Sequence, residues 1–558
     1  KRQAYYTLAD DPDAFGGYLD EGGNRWETNK LTETRNDNYH VTSQLIANYM
    51  KTIDKHSLTL MAGYENYYSK SENLTAARDQ YILTEYPYLN LGPEDYRDNS
   101  GNANEYTYNS YFGRLIYNFD NKYLLQANIR RDGSSRFDKD YRWGTFPSVS
   151  AGWVITEENF MKNTKLDWLS FLKLKASWGQ LGNERIGDFP YLALLSFGNA
   201  LFYENGELVS KQTASQREVA VKDISWETTE STNIGVDLAF FNNKLRVTGE
   251  YYWKKTKDML LTTQIPLFMG YNDPSTNLGE MSTKGFDLEI GWNDRKGDWT
   301  YSISANLSDF ISKIDYLQNT RNISNGKIQE AGVGFNEWYG YICEGIYQTQ
   351  EQVDNSAKLN DRVQVGDLWY RDISGPDGVP DGKISAEYDR VPLGNSLPRF
   401  QYGGNIRVGY KGFDLMVAFQ GIGKQKVRLE RQMVEPLRSN YGNIPDIYDG
   451  NYWSLLNTDE ENARAKYPRL SNVNADSNYA VSDFWLFNGR YFRLKNLTLG
   501  YTLPKTLTQK VSMNNVRVYA TASDLFVISK YPSGWDPEMG VSSYPITTSL
   551  VFGLSVNF

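Results

Sequence analysis

The last nine residues, Leu550 to Phe558, read LVFGLSVNF. Leu550, Phe552, Leu554, Val556 and Phe558 share one parity, and Val551, Gly553, Ser555 and Asn557 share the other. A two-residue period of this kind makes a strand with one apolar face. Soluble domains tend to fray into polar residues at their ends. A strand that stops on an apolar-face Phe therefore points to a barrel sealed in lipid. The competing reading is an edge strand of a large β-sandwich, and the remaining sequence has to choose between them.

Five further pairs of alternating segments are joined by very short turns. Tyr39, Val41, Leu45 and Tyr49 are followed by Leu58, Leu60, Ala62 and Tyr64. Leu115, Tyr117 and Phe119 precede Asp120-Asn121-Lys122 and then Tyr123, Leu125, Ala127 and Ile129. Ile234 to Phe240 turns at Asn242-Asn243 into Leu245 to Trp253. Phe286 to Trp292 leads to Trp299 to Leu307, and Phe400 to Val408 turns at Lys411-Gly412 into Phe413 to Phe419. Pattern and turn chemistry both predict β-hairpins. Arg114, Gln126, Asn128, Asp237, Arg246, Glu250, Asp287, Glu289, Ser302, Ser304, Asn306 and Asp414 fill the alternate positions. They form a polar face that suits bulk solvent or a wet lumen.

Aromatics make up 15% of the chain, yet its mean hydropathy is −0.60. No run of about 20 apolar residues is present, so spanning helices are excluded. A transmembrane barrel fits, because lipid-facing and lumen-facing residues alternate and average out. A net charge of −9 argues against nucleic acid as the partner. The single cysteine, Cys343, rules out an internal disulfide framework.

Long polar connections, roughly 71–105, 181–228, 311–398 and 424–488, alternate with the short turns. This is the spacing of an outer-membrane barrel with short periplasmic turns and long outer loops. Phased back from Phe558, the pattern predicts about 15 antiparallel strands, the first descending near residues 38–50, and every short turn on the periplasmic side. Single-chain barrels normally begin from the periplasm with an even strand number. The expectation is thus that more chain precedes Lys1.

Arg131 to Trp153 (RDGSSRFDKDYRWGTFPSVSAGW) resembles a signature of the SusC/RagA-like TonB-dependent outer-membrane transporters. So do Leu172 to Tyr191, Trp226 to Leu260, Met281 to Trp292, Glu344 to Asp354, Leu397 to Leu415, Phe492 to Pro504 and Tyr531 to Gly540, in family order. The resemblance implies an all-β, 22-stranded transmembrane barrel around an N-terminal plug. Residues 1–558 would be the C-terminal two-thirds of that barrel, with plug, TonB box and first strands lying outside it. It further implies an outer-membrane location in a Gram-negative, Bacteroidota-like bacterium, energy from the TonB-ExbB-ExbD complex, and a SusD-like surface lipoprotein lidding the mouth. The cargo would be an oligosaccharide or an oligopeptide. A non-transporting glycan-binding or adhesion barrel and a soluble all-β protein such as a propeller are the alternatives.

No catalytic motif accompanies the two histidines, His40 and His56, so no enzyme is expected. Trp338, Tyr339, Tyr341, Trp369 and Trp453, with Tyr370 and Trp535, are the loop aromatics that could form a platform for a sugar. Loop packing is the competing use of each. Asp372, Ser374, Asp377, Asp381 and Asp389 in GDLWYRDISGPDGVPDGKISAEYDR supply oxygen ligands as in a Ca²⁺ loop, although Pro376 and Pro380 are inserted and Asp389 lies one residue beyond the expected twelfth position. A stack of Asx and Gly turns needing no ion explains the same residues. Leu238, Val247, Leu288, Ile303, Val417 and Leu554 are expected to face lipid. Asp237, Arg246, Glu289, Ser302 and Asp414 are expected to face the lumen.

Overall fold

The computed structural model describes residues 30–558 apart from 82–85, 87, 165, 205, 319–320, 439–443 and 540–545. It also describes one short pair of strands, Tyr18–Leu19 with Arg25–Trp26. Gly540, the last residue of one signature segment, lies outside the described residues.

Fifteen strands form one antiparallel sheet in which each pairs with the next along the chain. They are β1 Leu31–Ile53, β2 His56–Arg78, β3 Arg97–Phe119, β4 Tyr123–Ser134, β5 Trp143–Val154, β6 Leu169–Asn183, β7 Glu227–Phe240 and β8 Leu245–Thr262. The series continues with β9 Ser275–Lys296, β10 Trp299–Leu317, β11 Arg399–Tyr410, β12 Phe413–Lys424, β13 Tyr491–Thr502, β14 Asn515–Ser529 and β15 Ser549–Asn557. Among the described residues β1 pairs only with β2 and β15 only with β14. No described helix is long and apolar enough to cross a membrane.

At one end of the sheet five of the connections are as short as expected. Asp54, Asp120, Asn121, Asn242, Asn243 and Lys411 take positive φ there, and Gly412 follows at +91°. Asn, Asp and Gly tolerate the left-handed conformation that tight hairpins need. The connections 155–168 and 503–514 are longer and hold the short helices Asn159–Lys162 and Lys505–Thr508.

The expected loop 71–105 is a correction. β2 runs on to Arg78, β3 begins at Arg97, and β1 starts at Leu31. These three strands have 23 residues each, against the roughly 9–11 that cross a bilayer. Their outer halves are polar and so lack an apolar signal, but they pair through side chains. Asn73 donates to Asn36 at 2.6 Å, Thr34 meets Thr75 at 3.2 Å, and Ser71 bonds Asn38. The connection 181–228 also holds an unforeseen hairpin, Leu195–Glu204 with Glu207–Gln216.

Candidate functional site

Register fixes which side chains share a face. Leu238 lies opposite Val247, and Val247 opposite Ile290. A second row runs Trp292, Ile303, Ile406, Val417, Leu497, Ala522 and Leu550 across seven strands. All six residues expected to face lipid fall on this apolar face. Aromatic pairs mark its short-turn end: Trp168 with Phe240 at 5.7 Å, Trp299 with Tyr410 at 4.3 Å and Phe413 with Tyr501 at 4.4 Å. Interfacial girdles are built this way.

The other face is charged and internally paired. Asp237 lies opposite Thr248, and Thr248 opposite Glu289. Lys175 reaches Asp237 at 3.1 Å and also contacts Glu250. Arg517 forks onto Asp414, Nε to Oδ1 at 2.9 Å and Nη2 to Oδ2 at 2.5 Å. Glu65, buried, accepts from Tyr108 at 2.8 Å and from Gln44. His40 stacks at 6.1 Å on Tyr67, and His56 Nδ1 lies 2.7 Å from the Tyr117 hydroxyl.

Over the opposite end, the described residues of 318–398 and 425–490 pack into a roof with its own core. Tyr341, Leu368, Tyr370, Ile384, Leu429, Val434, Tyr448, Ala475, Tyr479 and Trp485 form it, and Tyr531 and Trp535 lean on it. Asp367 is its polar hub, fully buried. Its carboxylate accepts from Arg469 Nε at 2.6 Å, Asn474 Nδ2 at 3.0 Å, Asn478 Nδ2 at 2.9 Å and the Gln364 N–H at 2.9 Å. One carboxylate thus joins both loops.

The aromatics proposed as a ligand platform sit inside this roof. Trp338, Tyr339, Tyr341 and Trp453 are buried, and half-buried Trp369 stacks on Tyr347 at 5.6 Å. The Trp338 indole N–H donates to the Lys426 carbonyl at 2.8 Å, and Arg321 and Arg390 flank the Tyr339 ring. Their faces are spent on packing, because loops this long need apolar side chains of their own to stay folded. Burial likewise pushes the Cys343 thiol up to about 12.

The acidic loop uses its carboxylates on its own backbone. Asp389, fully buried, accepts N–H groups from Ile373, Ser374 and Ser385 at 2.7, 3.2 and 2.6 Å. Asp372 Oδ2 accepts from Gly382 at 2.7 Å and Asp381 Oδ1 from Lys383 at 3.0 Å. Ser374 Oγ turns to the Gly375 carbonyl, and Asp377 is exposed. Asp372 Oδ1 is buried without a hydrogen-bond partner. Among the described residues no three His, Cys, Asp or Glu are grouped to hold a metal. The residues as placed do not fit a calcium cage.

Sequence reading missed the clamps that tie roof and mouth to wall. Arg493, almost wholly buried, donates to both Asp536 oxygens at 2.6 and 2.5 Å, with Glu538 against Nε. Arg399 forks onto Asp309, which also accepts the Phe400 N–H at 3.1 Å. Phe137 is buried against Trp226 at 5.4 Å. The Arg493 and Phe137 contacts each link two signature segments, and Arg399 ties one such segment to Asp309 on β10, so the segments were legible but their pairing was not.

A sheet dry on one face and charged on the other, girdled by aromatics and roofed at one end, defines the wall of a large membrane β-barrel. Residues 1–522 match the family described as TonB dependent receptor-like, beta-barrel. The TonB-dependent receptor SusC of Bacteroides thetaiotaomicron is 30% identical over 93% of this chain and 50% of its own length. TonB-dependent receptor P3 of Formosa agariphila is 28% identical over 96% of this chain and 53% of its own. The RagAB peptide transporter structure superposes with a TM-score of 0.80 at 25% identity, covering 96% of this chain and 57% of that one. The chain belongs to the TonB-dependent receptor β-barrel family and is SusC/RagA-like. Barrels of this family lie in the outer membrane of Gram-negative bacteria. The chain spans about half the length of the curated relatives it matches.

Proposed function

We propose that this chain is the wall of a TonB-driven importer that shares its mouth with a SusD-like surface lipoprotein and carries oligosaccharides or oligopeptides. The likeness to the RagAB peptide transporter over nearly the whole chain carries the reading. TonB, with ExbB and ExbD, would supply energy through parts of the protein outside this chain. The lipoprotein would sit on 181–228, 311–398 and 424–488.

The hairpin in 181–228 supports that docking surface. Leu195, Phe197, Leu201, Tyr203 and Leu208 share one face and are each more than 60% exposed. A lone two-stranded hairpin is marginal in water, so such a face wants a cover. The base of the hairpin is tied to 263–274, where Asn272 N–H donates to the Arg217 carbonyl at 2.7 Å. The tip of that segment shows exposed Leu267 and Phe268.

A strain deleted for the full-length gene should lose growth on the cargo oligosaccharide or peptide, and a strain lacking TonB should lose it equally. Unchanged growth in both would leave a surface-binding barrel instead. Replacing Phe197 and Leu201 by Ser, or trimming the tip of 424–488, should weaken co-purification of the lipoprotein with barrel assembly intact. Full co-purification after trimming each of the three loops in turn would count against the docking surface.

A further inference from the structure

Two adjacent arginines in β4 point to opposite faces. Arg130 is on the charged face, where it meets Asp132 at 2.7 Å and Glu65 at 3.3 Å. Arg131 lies opposite Tyr111 and Thr145 on the apolar face and makes no ion pair among the described residues. Its guanidinium lies over the Trp143 ring at 5.4 Å, and Trp143 stacks on Tyr111 at 5.9 Å. Gly133 makes the room, since a Cβ there would stand 2.8 Å from the indole. Arg131, Trp143 and Tyr111 are all exposed.

The height of this cluster is fixed by register. Trp143 pairs with Gly133 and Trp153 with Tyr123, so β5 carries a tryptophan at each end of its apolar face. At ~3.3 Å per residue and a 35–45° tilt the two are separated by about 25 Å, the height of a barrel's apolar band. Trp153 stands at the short-turn girdle, and Trp143 stands at the roofed, outer one. Lys284 on β9 is also an exposed cation on the outward face, opposite Trp253 in register.

A cation facing lipid is costly within the hydrocarbon and favourable only at headgroup level beside an anion. Among the described residues the wall supplies Arg131 with an aromatic seat and no carboxylate partner. We propose that Arg131, seated on Trp143, binds the phosphate of a phosphorylated glycolipid in the surrounding outer leaflet. The inference rests on the outer-membrane reading and not on transport. The guanidinium fork matches two phosphate oxygens, while Trp143 and Tyr111 lie against the lipid's sugar and upper acyl carbons.

The test titrates full-length protein in detergent with phosphorylated lipid A, dephosphorylated lipid A and inorganic phosphate. Wild type should bind phosphorylated lipid A about fivefold more tightly than Arg131→Ala does, the effect of one headgroup-level cation. Arg131→Lys should keep part of the difference, and dephosphorylated lipid A should not distinguish the proteins. Heat-modifiable mobility on gels certifies folding of each variant. Equal affinity of wild type and Arg131→Ala for phosphorylated lipid A overturns the proposal. Inorganic phosphate binding as well as the lipid also overturns it, since the site would then be one for free anions. If wild type is absent from outer-membrane fractions, the membrane reading itself has failed.

Discussion

Asp367 holds four donors with one carboxylate and joins two loops that are distant in sequence. Asp367→Ala would leave the Arg469 charge and two buried amides without their acceptor. Losing one partner of a buried pair costs about 3–5 kcal/mol. The roof should then open to protease within 318–398 and 425–490 while the barrel keeps its heat-modifiable mobility, which limited proteolysis would read. Unchanged cleavage would remove the hub role. Cys343 gives a second probe of the roof. Its thiol is raised to about 12 by burial, so alkylation at pH 8 should be slow until the roof unfolds. The folded state holds the proton more tightly than the unfolded one. This contribution to stability is therefore full below about pH 9 and declines as pH rises from there towards 12. A thiol alkylated as fast as a free peptide at pH 8 would contradict the burial.

At the scale of elements, alternation made most of the wall legible. Where one face must meet lipid, apolar residues recur every second position, as from Leu238 to Val247 and Ile303 to Val417. The outer halves of β1, β2 and β3 were not legible, because strands standing above the bilayer pair through Asn, Ser and Thr. In the roof the sequence could not separate the two uses of a loop aromatic, ligand platform or packing; Trp338, Tyr341 and Trp453 are buried. In the acidic loop Asp389 caps backbone N–H groups, a use that sequence alone does not distinguish from ligating an ion. Val247→Arg, mid-wall on the apolar face, should destabilise the barrel in bilayers by about 2–4 kcal/mol. Thr248→Arg, its neighbour on the charged face, should cost far less. Equal losses in urea unfolding would put both residues in the same environment and reject the assignment of faces.

For the whole molecule, dry and charged faces, girdle and roof make sense only if one face meets lipid and the other an aqueous lumen. Single spin labels in the full-length protein, with Cys343 replaced by Ser and the barrel in native outer membrane, test this most directly. Labels at Leu238, Val247, Leu288, Ile303, Val417 and Leu554 should collide with oxygen and be shielded from a water-soluble nickel quencher. Labels at Asp237, Arg246, Glu289, Ser302 and Asp414 should show less oxygen collision and lack that lipid signature. Indistinguishable accessibility in the two sets would contradict the membrane-wall account.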